Sequence, residues 1–387
     1  MSSPATEFSR PGKGQVFLAA FGKHPGWSDF MDDIGMQTET LIAAKRALFL
    51  EGITSQIETG AWAKIEPNKR IADFNHLFLW RRPDEFLIGR IWSSVDAKGR
   101  REHPMVICAD CIGMPVRWVL EELPPILEEV RINCQATTSA EEVSAIMARA
   151  QNTIRERMAD ATTFLTLGAP DNQTMHTRFL ERREWSSSQE GLYRILHQMY
   201  GQFTAYGIGR PQSFSETVFL RKGPQGGSAP LSQQIRVPQA ADTPSASLGQ
   251  WLDFFLYKLN PGTPIFLVLC LDYKWVDITV GEPTSREFFS FKASRAALPL
   301  ASEVPYQLDD ESRQFAQDFI ASYGNQTKGG GKSALKTVRT VVVILLLLIL
   351  VGSFIAYLHY APPRDIPAFL RGVAQSLENP GFTPSDK

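Results

Sequence analysis

The stretch from His76 to Trp92 reads HLFLWRRPDEFLIGRIW, and its reading decides the fold. Two apolar runs, His76–Arg81 and Phe86–Trp92, flank Arg82-Pro83-Asp84, and proline and aspartate favour turns. Runs of this kind predict two strands joined as a hairpin. Met105–Ala109 predicts a third strand, and Gln15–Phe21 predicts one at the start. Between them, Gln37 to Thr59 has a broad apolar stripe: Leu41, Ala44 and Leu48 with Ile42, Phe49, Ile53 and Ile57. That spacing predicts a helix. Val116 to Val130 is helical in pattern, but Pro124-Pro125 is expected to break or restart it. Ser139 with Glu142 reads as a capping box ahead of a core face of Val143, Ile146, Met147, Ala150 and Ile154.

The second half repeats these element types more faintly. Leu192, Ile195, Leu196, Met199 and Phe203 mark one helix, and Leu248, Trp251, Leu252, Phe255, Leu256 and Leu259 mark another. Strands are expected at Thr217–Arg221, Pro264–Leu271, Trp275–Val280 and Phe288–Phe291, a loop at Lys222–Ser232, and a last helix at Ser312–Tyr323. The fold class that follows is α/β (α+β), a three-layer α/β/α sandwich.

A chain of 387 residues exceeds the usual single core, so two domains are expected. The divisions are a flexible N-terminus at 1–14, a first domain at 15–160, a second mixed α/β region at 161–323, a basic Gly-rich linker at 324–339, a membrane helix at 340–360 and a tail at 361–387. Hydrophobic content of 43% with 21% charged residues is that of a globular protein. The net charge of −1 offers no global field to recruit nucleic acid, so no nucleic-acid partner is expected. Four cysteines are too few for a disulfide framework, and the N-terminus has no signal-peptide pattern.

Thr340 to Tyr357 is eighteen residues without a charge, close to the roughly 17–25 that span a bilayer. Lys328, Lys332, Lys336 and Arg339 precede it. That density of cations places the body in the cytoplasm and the tail across the membrane. The expected location is a bacterial inner membrane, crossed once, with a periplasmic tail. Phe369, Leu370, Val373 and Leu377 give that tail helical spacing. Gly329-Gly330-Gly331-Lys332-Ser333 is not read as a phosphate loop, because Gln326 stands where that motif has glycine and no strand precedes it.

Two short elements carry the functional reading. The first is Phe21-Gly22-Lys23-His24-Pro25-Gly26-Trp27-Ser28-Asp29-Phe30; the second is Ser94-Val95-Asp96-Ala97-Lys98-Gly99-Arg100. In the first, either Lys23, Trp27 and Asp29 form a binding surface, or Trp27 and Phe30 pack inside while Asp29 ties down the turn. In the second, Asp96 and Gly99 fit a tight loop. Arg100 either contacts a partner carboxylate or pairs with Asp29 or Asp96, joining the two elements in one corner. Cys108-Ala109-Asp110-Cys111 has redox spacing but ends a strand, so two inert buried thiols are expected. Asp29, Asp32 and Asp33 offer a Mg²⁺ site or a solvated acidic helix start, the latter favoured. The six histidines lack ligand spacing, and no triad or nucleophile elbow is present. No catalytic residue, metal or cofactor is expected.

The pattern G-K-x-P-x-x-x-D-F, filled by Gly22, Lys23, Pro25, Asp29 and Phe30, and the pattern S-V-D-x-x-G-R, filled by Ser94, Val95, Asp96, Gly99 and Arg100, together resemble the TagF (ImpM) family. These are accessory proteins of bacterial type VI secretion. The resemblance covers roughly residues 15–112. It implies a longin-like or profilin-like first domain and a non-enzymatic regulator of secretion assembly. The partners it implies are the membrane complex, the baseplate or a forkhead-associated scaffold protein in a threonine-phosphorylation pathway. Ordinary members are soluble and shorter, so the membrane span shifts the expected role towards support or recruitment at the membrane. The alternatives are a longin-like tail-anchored adaptor of another envelope complex, and a metal-dependent phosphatase using Asp29, Asp32 and Asp33.

Overall fold

The hairpin read in His76–Trp92 stands inside a larger antiparallel sheet. The computed structural model describes residues 14–83, 85–159, 179–182, 189–204, 221–222, 228–229, 233–257, 259, 262–305 and 307–324. Its strands are β1 (Gln15–Gly22), β2 (Asn75–Arg81), β3 (Glu85–Trp92), β4 (Met105–Ile112), β5 (Arg221–Lys222), β6 (Ser228–Ala229), β7 (Gln233–Pro238), β8 (Ile265–Cys270) and β9 (Trp275–Val280). Seven of them form one sheet in the order β1-β4-β3-β2-β8-β9-β7, and β5 pairs only with β6. Every ladder is antiparallel. The regions 15–160 and 161–323 therefore share one sheet, sewn together where β2 pairs with β8 from His76↔Cys270 to Arg81↔Ile265.

Alternation along the strands sends side chains to two cores. Leu77, Leu79, Ile88 and Ile107 face one, packed by α3 (Val116–Gln135), α4 (Ala140–Ala159), α5 (Glu190–Thr204), α6 (Pro244–Leu256) and α7 (310–324). Phe78, Trp80, Leu87 and Val106 face the other, under the helical run 39–58 and the segment Glu287–Phe291. The protein is thus mixed α/β with helical cover on both faces. Among the described residues no helix is long and apolar enough to cross a membrane. Residues 325–387, which hold the linker, the expected membrane helix and the tail, lie outside the described residues, as do residues 1–13 and Thr217 to Leu220.

The run 39–58 starts as α1 (Glu39–Ala44), continues as a π-helix over Lys45–Thr54 and closes as α2 (Ser55–Glu58). Thr38 caps it, its Oγ1 accepting from Leu41 N at 3.1 Å. Leu41, Ala44, Leu48, Phe49 and Ile53 are buried as read, whereas Ile42 is 50% exposed. The stripe read from the sequence was wider than one helical face, so part of it had to face out. Gly52 lies against Phe288, whose ring carbons would be 2.9 Å from a Cβ there.

Two expectations need correction. Helix α3 runs unbroken through Pro124 and Pro125. Trp118, Val119 and Leu123 before the prolines, and Ile126, Leu127 and Val130 after them, bury one continuous face, and that packing outweighs the lost backbone bonds. Phe288–Phe291 is a 3₁₀ turn, Glu287–Phe291, not a strand. An i, i+3 winding sets Phe288 and Phe291 on the same side, and both are buried. The capping box is half formed: Glu142 N donates to Ser139 Oγ at 3.2 Å, while the Glu142 carboxylate takes the Thr137 hydroxyl instead.

Strand β1 is an edge strand, and several of its outward groups are occupied. The Gln151 amide accepts from Leu18 N and donates to Val16 O, both at 2.9 Å, and Ile34 exchanges two bonds with Ala20. Near the other edge, Arg236 sits directly opposite Asp277. Its guanidinium makes two bonds to that carboxylate, at 2.7 and 2.8 Å, and donates to Ala293 O and Ser290 O. Both side chains are buried, so the pair pins the 287–298 segment to the sheet. Arg236→Ala leaves Asp277 buried and uncompensated, and is expected to cost about 3–5 kcal/mol in urea unfolding. The double variant Arg236→Met, Asp277→Leu removes both charges at similar volume and should cost less than the single change.

Candidate functional site

The first element leaves the sheet at Gly22, which has φ +112°; a Cβ there would stand 2.3 Å from Pro104 O. Lys23 N donates to Pro104 O at 3.1 Å, and Met31 N returns to Gly22 O at 2.9 Å, closing a loop. Within it, Trp27 N donates to His24 O at 3.1 Å across a turn with Pro25 at its second position, where the fixed ring angle suits. His24 holds this turn to the body. Its Nδ1 accepts from Gly26 N at 3.1 Å, so Nε2 carries the proton and donates to Cys134 O at 2.8 Å. Burial lowers its pKa and keeps it neutral, against the opposing effect of the Cys134 bond. Gly26 is required by contact, since a Cβ would come 2.7 Å from Ala140 N.

The second element closes around Asp96. Its Oδ1 accepts from Lys98 N at 2.9 Å and Arg100 N at 3.1 Å, and Gly99 supplies the left-handed residue at φ +78°. Its Oδ2 accepts from Lys23 Nζ at 2.6 Å and Arg100 Nε at 2.7 Å. Arg100 also reaches Asp29 Oδ1 at 2.9 Å and Ser28 O at 3.1 Å, and Lys23 reaches Asp29 at 3.1 Å. The two elements therefore form one corner of two cations and two carboxylates, bound further by Ala97 N donating to Trp27 O at 2.8 Å. Lys23 and Asp96 are buried, while Asp29 and Arg100 are exposed. Burial raises the Asp96 pKa, but the bonds from Lys23, Arg100 and Lys98 outweigh it and hold the carboxyl well below its ordinary range. Asp29 is lowered too, chiefly by its bond from Lys23.

Neither aromatic of the corner is in the core. Trp27 is half-buried, its indole nitrogen donating to Asp32 at 3.2 Å. Phe30 is 46% exposed, edge-on to His103 at 5.0 Å and Phe49 at 5.9 Å, with Lys23 Nζ 4.8 Å from its ring centre. Ser94 makes no side-chain hydrogen bond among the described residues; the serine that does is Ser93, whose Oγ accepts from Phe74 N at 2.7 Å. Sequence reading missed Ser93 and His24. The one signal for His24 was its place between two residues of the first pattern.

The three aspartates go to separate partners: Asp29 to Lys23 and Arg100, Asp32 to Trp27, Asp33 to Lys45. Among the described residues no group of three potential ligands could hold a metal ion. Cys108 and Cys111 face opposite cores of β4, and burial raises both thiol pKa values. Between them, Asp110 is buried under the Thr38 cap, accepting from its hydroxyl at 2.7 Å, and burial pushes its pKa up to about 6. No family model matches this chain, and no curated protein matches it.

Two pH effects follow. A lowered native pKa stabilises above the unfolded value of about 4, and that stability is lost as pH falls through the native value. Thermal melting of the wild type should therefore fall steeply below about pH 4, and Asp96→Asn should melt lower at neutral pH with a shallower acid limb. Asp110 works in reverse. Its raised pKa costs stability as pH climbs from about 4 past about 6, by up to about 3 kcal/mol. Asp110→Asn should gain stability at pH 8 relative to wild type and show little difference at pH 4.

Proposed function

We propose that this chain is a membrane-anchored, non-enzymatic accessory protein of a bacterial type VI secretion system, of TagF type, acting through protein contacts made by the corner. The observation that carries the reading is the closure of the two family-like elements around Asp96, through Lys23 and Arg100. Each pattern supplies half of one charge network, Lys23 and Asp29 from the first and Asp96 and Arg100 from the second. The finer fold reading, a longin-like or profilin-like first region, is supported by an antiparallel meander with helices on both faces. The anchor rests on the uncharged run Thr340–Tyr357 and on the cations ahead of it, which set the body in the cytoplasm and the tail in the periplasm. Tethering raises the local concentration of the corner for membrane-complex components.

The test is a crosslinked pull-down from native membranes, comparing wild type with Asp29→Ala plus Arg100→Ala. Those two side chains are exposed, and Asp96 and Lys23 stay in place, so melting checks that the variant folds. Recovery of secretion-system membrane, baseplate or forkhead-associated components by wild type, and their loss in the variant, is the expected result. If wild type recovers none, the chain is instead a tail-anchored adaptor of another envelope complex.

A further inference from the structure

A cavity of about 590 Å³ lies at the β7 side of the sheet, lined from the end of β7, from the turn into β9 and from the segment 295–303. That volume is within the about 300–1,000 Å³ of small-molecule sites. Its walls are fixed from behind. Gln239 N donates to Lys274 O and Lys274 N to Cys270 O, both at 3.0 Å. Glu303 N donates to Leu300 O at 2.9 Å, and Leu300 packs with Trp275, Ile71 and Cys270 in a small core. Strands β1 and β7 are six steps apart, about 29 Å at about 4.8 Å each, so the cavity is separate from the corner.

One wall is a flat aromatic. Tyr273 lies on Trp275 with ring centres 5.0 Å apart and planes 19° from parallel. Trp275 is buried, whereas Tyr273 is 49% exposed. The Arg236 guanidinium stands 4.3 Å from the Trp275 ring centre and is itself held by Asp277. Tyr273 is thereby the outer layer of a stack anchored in the sheet. The charges of the cavity come largely in pairs. Arg182 stands 3.6 Å from Asp242, and Arg295 bonds Glu303. Lys274 is exposed, with no side-chain partner among the described residues. Gln239 Nε2 donates to Ala241 O at 2.6 Å, and its Oε1 accepts nothing among the described residues. Donors and acceptors thus stand side by side around an aromatic plate.

We infer that this cavity binds a neutral carbohydrate, a pyranose ring lying on Tyr273 with its neighbouring hydroxyls on the arginine–carboxylate pairs. A hydroxyl both donates and accepts hydrogen bonds. Two adjacent hydroxyls therefore accept from a guanidinium and donate to the carboxylate beside it without separating the pair. The C–H bonds on a pyranose face carry slight positive charge, which suits the negative face of an aromatic ring. Other ligand classes fit less well. A phosphate-bearing ligand meets Asp242 and Glu303 as well as the three cations, and an apolar ligand strips water from both ion pairs. The inference goes beyond the secretion reading and does not rest on it.

The test uses the full chain in phosphatidylcholine nanodiscs, with cellotriose as the probe and saturation-transfer NMR as the readout, against empty nanodiscs. Saturation is expected at the ring C–H protons of cellotriose and not on sorbitol, which has hydroxyls but no flat face. Tyr273→Leu should bind cellotriose at least about fivefold more weakly, and Tyr273→Phe like wild type, because the ring and not its hydroxyl forms the plate. The double variant Asp242→Ala, Glu303→Ala removes two exposed acceptors, so its melting should be unchanged. It should also bind at least about fivefold more weakly, through the lost hydrogen bonds. The inference is overturned if cellotriose receives no saturation, if sorbitol matches it, if Tyr273→Leu or the double variant binds like wild type, or if adenosine monophosphate displaces cellotriose. Each of these outcomes leaves the pull-down, and with it the secretion reading, where it stood.

Discussion

Antiparallel pairing of β2 with β8 is the constraint on which the rest of the molecule depends. It makes one hydrogen-bonded sheet of strands that lie almost two hundred positions apart in places, as between His76 and Cys270. With that seam in place, both faces become continuous apolar surfaces, and each needs its own helical cover. The seam also aligns the strand ends, so that loops remote in sequence emerge side by side. Contacts of such separation are slow to form, because chain closure comes before the energy they return.

The corner shows a second balance. Removing Lys23 and Asp96 from water is costly, and their attraction alone does not guarantee a gain. Here the carboxylate receives four hydrogen bonds, two from backbone and two from cations, so its lone pairs are satisfied. Such a network does more to specify one loop geometry than to stabilise the fold as a whole. Asp29 and Arg100 extend it to the surface, where solvent screens their contribution. The buried half sets position, and the exposed half is available for contact.

Much of this was legible in the sequence, where one local rule acted alone. The hairpin, the strands near 15–21 and 105–109, helix α4 and the Asp96–Gly99 loop followed from alternation, helical period and turn chemistry; the order of the strands in the sheet did not. For Arg100 the sequence left open a partner carboxylate or an internal pair; in the structure it bonds Asp96 and Asp29, and its exposure leaves contact with a partner open as well. What escaped had causes at long range. Strand β7 was not read because Gln234 and Arg236 break its apolar pattern, and Arg236 is tolerated inside only because Asp277 faces it across the ladder. Pro124-Pro125 signalled a break that packing overrode. Phe30 had two readings open, inside or at a surface, and its exposure depends on where Phe49 and His103 happen to stand.

Gln151 has a consequence for how the molecule behaves in company. A sheet edge with vacant donors and acceptors is a template on which any extended chain can polymerise. The Gln151 amide has the shape of a peptide group, and on β1 it fills two of the places an incoming strand would take, Leu18 N and Val16 O. A glutamine reaching down from a helix thus works as a chain terminator for the sheet. At this edge the molecule thus carries its own stop, set by a residue more than a hundred positions along the chain.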